Sequence, residues 1–376
     1  MTSIRTACSF LAAAALFACG RTGTIDEFRA AAPTFDKLAI SQNDGDLADT
    51  SDLTSSDAAV VPECHPHLFV RTHEIIGRVN RHFRKHLHHV EELIEDNPLT
   101  DGETKIWENV RGGLDRRFTM TRTANLDGST TYDFTLEVAA VPASGTLDFV
   151  KVMSGSITVI GSAAADAGAE RVEHKGTVTF DFTALASVQT KERARGQITD
   201  SFDNVRDPAQ GVKRSAQITL TNFTPEEGDR HGPRTGSYSW LREPGVGGKF
   251  QFQDTVVLFC LPNPAGEQSE VTAAARWYKA ADGGVHGRTD AMATGGQLAD
   301  GEKWVGVTCA KGQTTSMPAE GFWMIKLEDP TGTTVTARLS QVGVEPCDPV
   351  LGAVPSPTDN KTDYDFSAAL TFPGEW

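Results

Sequence analysis

Residues 64–97 read CHPHLFVRTHEIIGRVNRHFRKHLHHVEELIEDN, and this stretch decides how the rest of the chain is arranged. Within it Ile76, Val79, Phe83, Leu87, Val90 and Ile94 recur at spacings of 3, 4, 4, 3 and 4, which sets them on one face of a helix. Asn97-Pro98 supplies the stop, because proline disfavours helical backbone in the residue before it. Glu91, Glu92, Glu95 and Asp96 crowd the C-terminal end, where the helix dipole favours cations. Gly77 costs the interior about 1 kcal/mol. Such a helix is expected to depend on docking its apolar stripe, not on its own propensity.

Beyond the helix the chain is strand-like. Runs at 117–123, 131–138, 147–160, 172–183, 196–202, 215–223, 237–241 and 249–259 read as strands, with the period of two clearest in Thr177-Val178-Thr179-Phe180-Asp181-Phe182. Turn signals separate them at Asp127-Gly128, Pro244-Gly245 and Gly247-Gly248. A second group falls at 271–279, 303–309, 322–327, 333–342 and 365–372. Short links between successive strands favour an antiparallel meander. The expected fold is mainly β, an antiparallel, curved or half-barrel sheet packed on one long amphipathic helix. The break Pro262-Asn263-Pro264 divides 63–261, helix plus sheet, from 262–376, which is either a second, smaller β unit or a continuation of the same sheet.

The N-terminus carries an address. Residues 1–18 hold one positive charge, Arg5, no acid, and an apolar run over 10–18 that is too short to span a bilayer, which makes a signal peptide. Leu16-Phe17-Ala18-Cys19 resembles the lipobox of bacterial lipoproteins, although Phe17 departs from the pattern. That resemblance implies that Cys19 is acylated with palmitate-type chains and becomes the mature N-terminus. With Gly20 rather than Asp after it, the resemblance also implies a lipid-anchored protein of the outer membrane. Residues 19–62 lack sustained periodicity, and over 41–63 they hold six acids without a base, which reads as a disordered, acidic tether with room for a short helix at 26–32.

With Cys8 and Cys19 set aside, Cys64, Cys260, Cys309 and Cys347 remain, an even number for an oxidising compartment. Two disulfide bonds are expected, Cys309 with Cys347 and Cys64 with Cys260. A Cys/His metal site from Cys64, His65 and His67 is the weaker rival, since the other cysteines lack metal-ligand spacing.

Seven of the ten histidines lie between His65 and His89. His82, His86 and His89 fall at i, i+4 and i+7 and share a helix flank, a spacing that lets imidazoles converge on a transition metal. Ile75 and Leu93 lie on the same flank, so a half-buried boundary stripe beside the core explains the spacing equally. His73-Glu74-Ile75-Ile76-Gly77 begins like a zinc-protease helix but has glycine where the second histidine is required.

The function classes narrow by exclusion. Fifty acids against 35 bases, a formal charge of −15, argue against nucleic-acid binding. No nucleophile elbow, phosphate-binding glycine loop, dinucleotide fingerprint or EF-hand loop is present, and the acidic group Glu226, Glu227 and Asp229 sits in a turn, so no catalytic residue is assigned. Trp240, Trp277, Trp304 and Trp323 read as core rather than as a sugar platform. Trp376 and the alternating strands also fit an outer-membrane barrel, against which stand the helix and Lys191-Glu192-Arg193. The outline of a curved sheet over a helix is loosely similar to the half-barrel lipoprotein carriers, and that likeness implies a cavity for a hydrophobic ligand between helix and sheet. The expected role is therefore non-enzymatic, a binding or structural protein of the cell envelope held to the membrane by its lipid. The alternative is a metal-binding envelope protein using the histidine-rich helix.

Overall fold

Among the described residues fourteen strands succeed one another antiparallel, each paired with its neighbours in sequence, so that β1 and β14 are the two edges of one sheet. The structure is a computed structural model that describes residues 23–40, 68–141, 145–161, 171–209, 211–225, 233–243, 246–256, 258, 267–281, 284–313, 319–341 and 347–352. The strands are β1 (Thr104–Arg111), β2 (Leu114–Ala124), β3 (Thr130–Ala140), β4 (Val150–Ile160), β5 (Val172–Asp181), β6 (Arg195–Asp207) and β7 (Gly211–Thr224). They continue with β8 (Arg234–Glu243), β9 (Gly247–Val256), β10 (Ser269–Lys279), β11 (Gly284–Thr294), β12 (Lys303–Gln313), β13 (Ala319–Glu328) and β14 (Thr334–Gln341). Short helices α1 (Ile25–Ala31) and α2 (Phe35–Leu38) precede the long α3 (Leu68–Glu95), and α4 (Phe182–Val188) comes after β5. The β9–β10 pairing carries the sheet across the Pro262 break.

The stripe Ile76, Val79, Phe83, Leu87, Val90 and Ile94 is buried and joins the inward residues of the strands in one core. Phe83 stacks on Phe180 of β5 with ring centres 5.6 Å apart. Near the start of α3 the sheet must give way. A Cβ on Gly287 of β11 would lie 2.2 Å from the Phe69 ring, so only glycine lets the helix approach there. At the other end Arg29 of α1 closes the helix, its Nε donating to Ile94 O at 2.7 Å and its Nη2 to Glu95 O and Asp96 O. A cation thus meets the negative end of the dipole and the orphan carbonyls, which offsets the acids that crowd this end.

Residues 23–40, part of the stretch read as a solvated tether, are instead folded onto the sheet. Phe28 is fully buried with its ring edge-on to Tyr132, Leu38 and Ile40 are buried, and Asn80 of α3 bonds both polar groups of Ile40's backbone. The apolar residues Phe28, Ala31, Leu38 and Ile40 outweigh the few charges around them, which makes docking favourable.

The two sheet faces differ. Away from α3, β1–β6 present hydroxyl pairs across strands, Thr131 with Thr158, Thr177 with Ser201 and Thr179 with Thr199, at 3.0 to 3.3 Å. On that same side of β10–β13 a second apolar cluster of Val305, Val307, Phe322 and Met324 is covered by the strap 347–352. The strap is fastened by the Cys309–Cys347 disulfide, by Asp348 to Tyr278 and His286, and by Arg288 to Gly352 O at 2.8 Å. Beneath it Asp290 takes Arg288 and Arg276 together. The expected pairing of Cys309 with Cys347 is therefore present, whereas Cys19, Cys64, Cys260, the 365–372 strand and Glu226, Glu227 and Asp229 lie outside the described residues.

Candidate functional site

The inward row of β2 runs Leu114, Arg116, Phe118, Met120, one cation in an otherwise apolar series, all four buried. It enters the sheet from a two-residue turn, Gly112-Gly113, whose positive φ values of 63° and 79° match the turn that suits the twist of a hairpin. Opposite stand the last turns of α3. The third wall comes from β5, which ends where Asp181 becomes a helix cap, its carboxylate accepting from Ala184 N at 2.8 Å. The helix it opens, α4, lays Phe182 and Leu185 toward the core, and Thr183 accepts from Gly196 N at 2.9 Å to hold it down.

Between α3, α4 and β2–β5 lies a recess of about 20 Å³ lined by Leu114, Leu136, Val152, Phe180, Phe182 and Leu185. It adjoins a wider mouth of about 530 Å³ between Gly112-Gly113, the α3 end and residues 188–191. Arg116, His89, Leu114 and Gln189 border both. The mouth falls in the range of small-molecule clefts, about 300–1,000 Å³, whereas the recess holds about one water.

Charge around the mouth is uneven. Arg111, Arg116, Lys191, His88 and His89 surround a single acid, Glu92. That acid is engaged by the Arg111 guanidinium, by His88 Nε2 at 3.3 Å and by His89 Nδ1 at 3.8 Å, and the Arg111 bond holds its carboxyl below the usual range. Arg116 is 8% exposed and, among the described residues, makes no hydrogen bond or ion pair. Burial lowers the affinity of its guanidinium for the proton, and Glu92 offsets this only in part. Burial likewise pushes His82 down to about 4 and depresses His86 and His89, so all three are neutral imidazoles at pH 7.

The predicted histidines are placed by rings. His82 lies edge-on to Phe223 and Phe182, with centres 5.2 and 5.8 Å away, and His86 is edge-on to Phe182 at 4.9 Å. His86 Nε2 and His89 Nδ1 are buried without a hydrogen-bond partner. Among the described residues no three His, Cys, Asp or Glu side chains are disposed to hold a metal ion, and His65 and His67 lie outside them. Lys85 reaches over this flank to Glu192 at 2.7 Å. Burial raises the Glu192 carboxyl, but the bonds from Lys85 and Ala194 N and the Lys85 charge together outweigh that and leave it below its ordinary value. No family model, curated protein or solved structure matches the chain.

Arg116 was not among the residues singled out from the sequence. Its signal is the alternation itself, since in Leu114-x-Arg116-x-Phe118-x-Met120 an arginine occupies the apolar phase.

Proposed function

We propose that this is a lipid-anchored cell-envelope protein with a non-enzymatic binding role, taking a ligand with an apolar end between α3 and the sheet. The observation that carries the reading is the recess beneath α4, an apolar floor that adjoins a cleft large enough for a small molecule. The membrane half of the reading rests on Leu16-Phe17-Ala18-Cys19.

The size of the recess imposes a condition. Room for one water admits about a methyl group, so a longer chain enters only as α4 moves outward. That helix is seven residues long and fastened at its N-terminal end by the Asp181 cap and the Thr183–Gly196 bond. Binding is therefore expected to open α4 before any other part of the core.

Native mass spectrometry of the full chain after gentle extraction tests the reading. Added dodecanoate or dodecanol should appear as a one-to-one adduct, and hydrogen exchange should quicken in 182–188 on binding. Absence of any adduct with either amphiphile at concentrations below micelle formation refutes it. A mature N-terminus lacking acyl groups refutes the anchor separately.

A further inference from the structure

We infer that Arg116 is an anion-binding centre, so that the cleft takes its ligand by a carboxylate or phosphate group; for an amphiphile this rests on the binding role proposed above. Arginine stays protonated at any pH a protein meets, so burial cannot be relieved by loss of the proton as it is for lysine. A cation partly withdrawn from water without a partner is costly, and an anion entering the mouth would supply the counter-charge. Here the acid whose charge acts on it, Glu92, is already held by Arg111 and faces His88 and His89.

The surroundings fit an oxyanion. Arg116 lies where recess and mouth meet; on the recess side His86 Nε2 is buried without a hydrogen-bond partner, and His89 and Gln189 border both spaces, His89 Nδ1 facing Glu92 at 3.8 Å. A neutral imidazole can present N–H at either nitrogen, so His86 can add a donor to the planar fork of the guanidinium. The negative end of the α3 dipole, which would repel an anion, is covered by Arg29. An anion seated on Arg116 leaves its apolar part directed at Leu114, Phe182 and Leu185 of the recess, where the one acid in the lining, Asp181, is occupied in capping α4.

The test is calorimetric titration of the full chain and of Arg116→Leu and Arg116→Lys with four probes: dodecanoate, dodecyl phosphate, dodecanol and inorganic phosphate. Both anionic amphiphiles should bind wild type ten- to a hundred-fold more tightly than dodecanol, the range of one charge-assisted, two-pronged hydrogen bond. Arg116→Leu should bring them down to the dodecanol level while leaving dodecanol unchanged, and Arg116→Lys should fall between. A preference for dodecanoate or for dodecyl phosphate assigns the head group as carboxylate or phosphate. If Arg116→Leu binds dodecanoate as wild type does, the anion centre is overturned and the apolar site stands. If inorganic phosphate binds through Arg116 as tightly as dodecyl phosphate, the anion centre stands and the apolar site falls. Should the leucine variant not fold, arginine-labelled wild type decides: one Nε–H resonance must move on adding dodecanoate, and no movement overturns the inference.

Discussion

Asp200 gives the sharpest test of how this core is held. It points inward from β6, its neighbours across the ladder are Val178 and Ile218, it is completely buried, and neither carboxylate oxygen has a hydrogen-bond partner among the described residues. Burial alone pushes its carboxyl well above the ordinary value. The unfolded chain loses this proton near pH 3.9 while the folded chain keeps it, so above that pH the folded state binds more protons and stability falls as pH rises. The slope is fixed at about 1.4 kcal/mol per pH unit until the folded-state value is passed, whatever that value is. Asp200→Asn has the same shape and does not titrate. The variant should match wild type near pH 4 and gain on it by about 1.4 kcal/mol for each unit above. Urea midpoints at pH 4.5, 5.5, 6.5 and 7.5, at constant ionic strength, read this directly. His82 and His86 have depressed folded values, so they remove stability as pH falls below 6.5, but they do so in both proteins and cancel from the difference. Parallel stability curves for the two proteins would show that Asp200 is ionised and paired in solution.

Three further perturbations act on named contacts. Phe83→Ala removes a ring that is 1% exposed and stacked on Phe180, and should cost about 3–5 kcal/mol by chemical denaturation. A loss below about 1 kcal/mol means the helix does not seal the core there. Arg29→Ala leaves the carbonyls of Ile94, Glu95 and Asp96 without their cap and should cost about 1.5–3 kcal/mol, with hydrogen exchange quickening in the last turn of α3 first. Unchanged exchange in that turn argues against the cap. Replacing Cys309 and Cys347 by serine opens a loop with a sequence separation of 38 and should cost about 4 kcal/mol by the loop-closure relation. Peptide mapping without reductant should recover the linked pair, and free thiols at both positions refute the bridge.

The long helix was legible because its apolar period is regular and only one element of the chain carries it, the strands from β2 to β10 because of their alternation and turn signals, and β12 to β14 because of their β-branched and aromatic runs. In β11 that signal vanishes. There the row Val285, Gly287, Thr289, Ala291, Ala293 is small because α3 presses on it, and the row His286, Arg288, Asp290, Met292 is polar yet lies under the strap, so neither half alternates as a strand on a core should. The first strand, β1, was hidden by Val110 and Arg111 at its exposed end, and α4 by Phe180-Asp181-Phe182, which keeps the strand period through the very residue that caps a helix. Segment 23–40 was misread because the acids of 41–63 coloured the whole N-terminal stretch. For the site, the histidine spacing was visible but its environment was not, since helical periodicity cannot reveal that Phe180, Phe182 and Phe223 come to face those imidazoles.

A meander without crossovers has a consequence for how the polypeptide is made. Each ladder joins segments adjacent along the chain, so zipping can advance residue by residue behind an emerging end, with little entropy lost at each closure. Links from the N-terminal helices break that locality, among them Phe69 N to Thr308 Oγ1 across 239 positions, Lys37 O to Asn204 across 167 and Lys85 to Glu192 across 107. The start of α3, Leu68 and Phe69, must therefore wait uncovered until β11 and β12 have been synthesised, which makes it the part of a nascent chain most in need of a holdase.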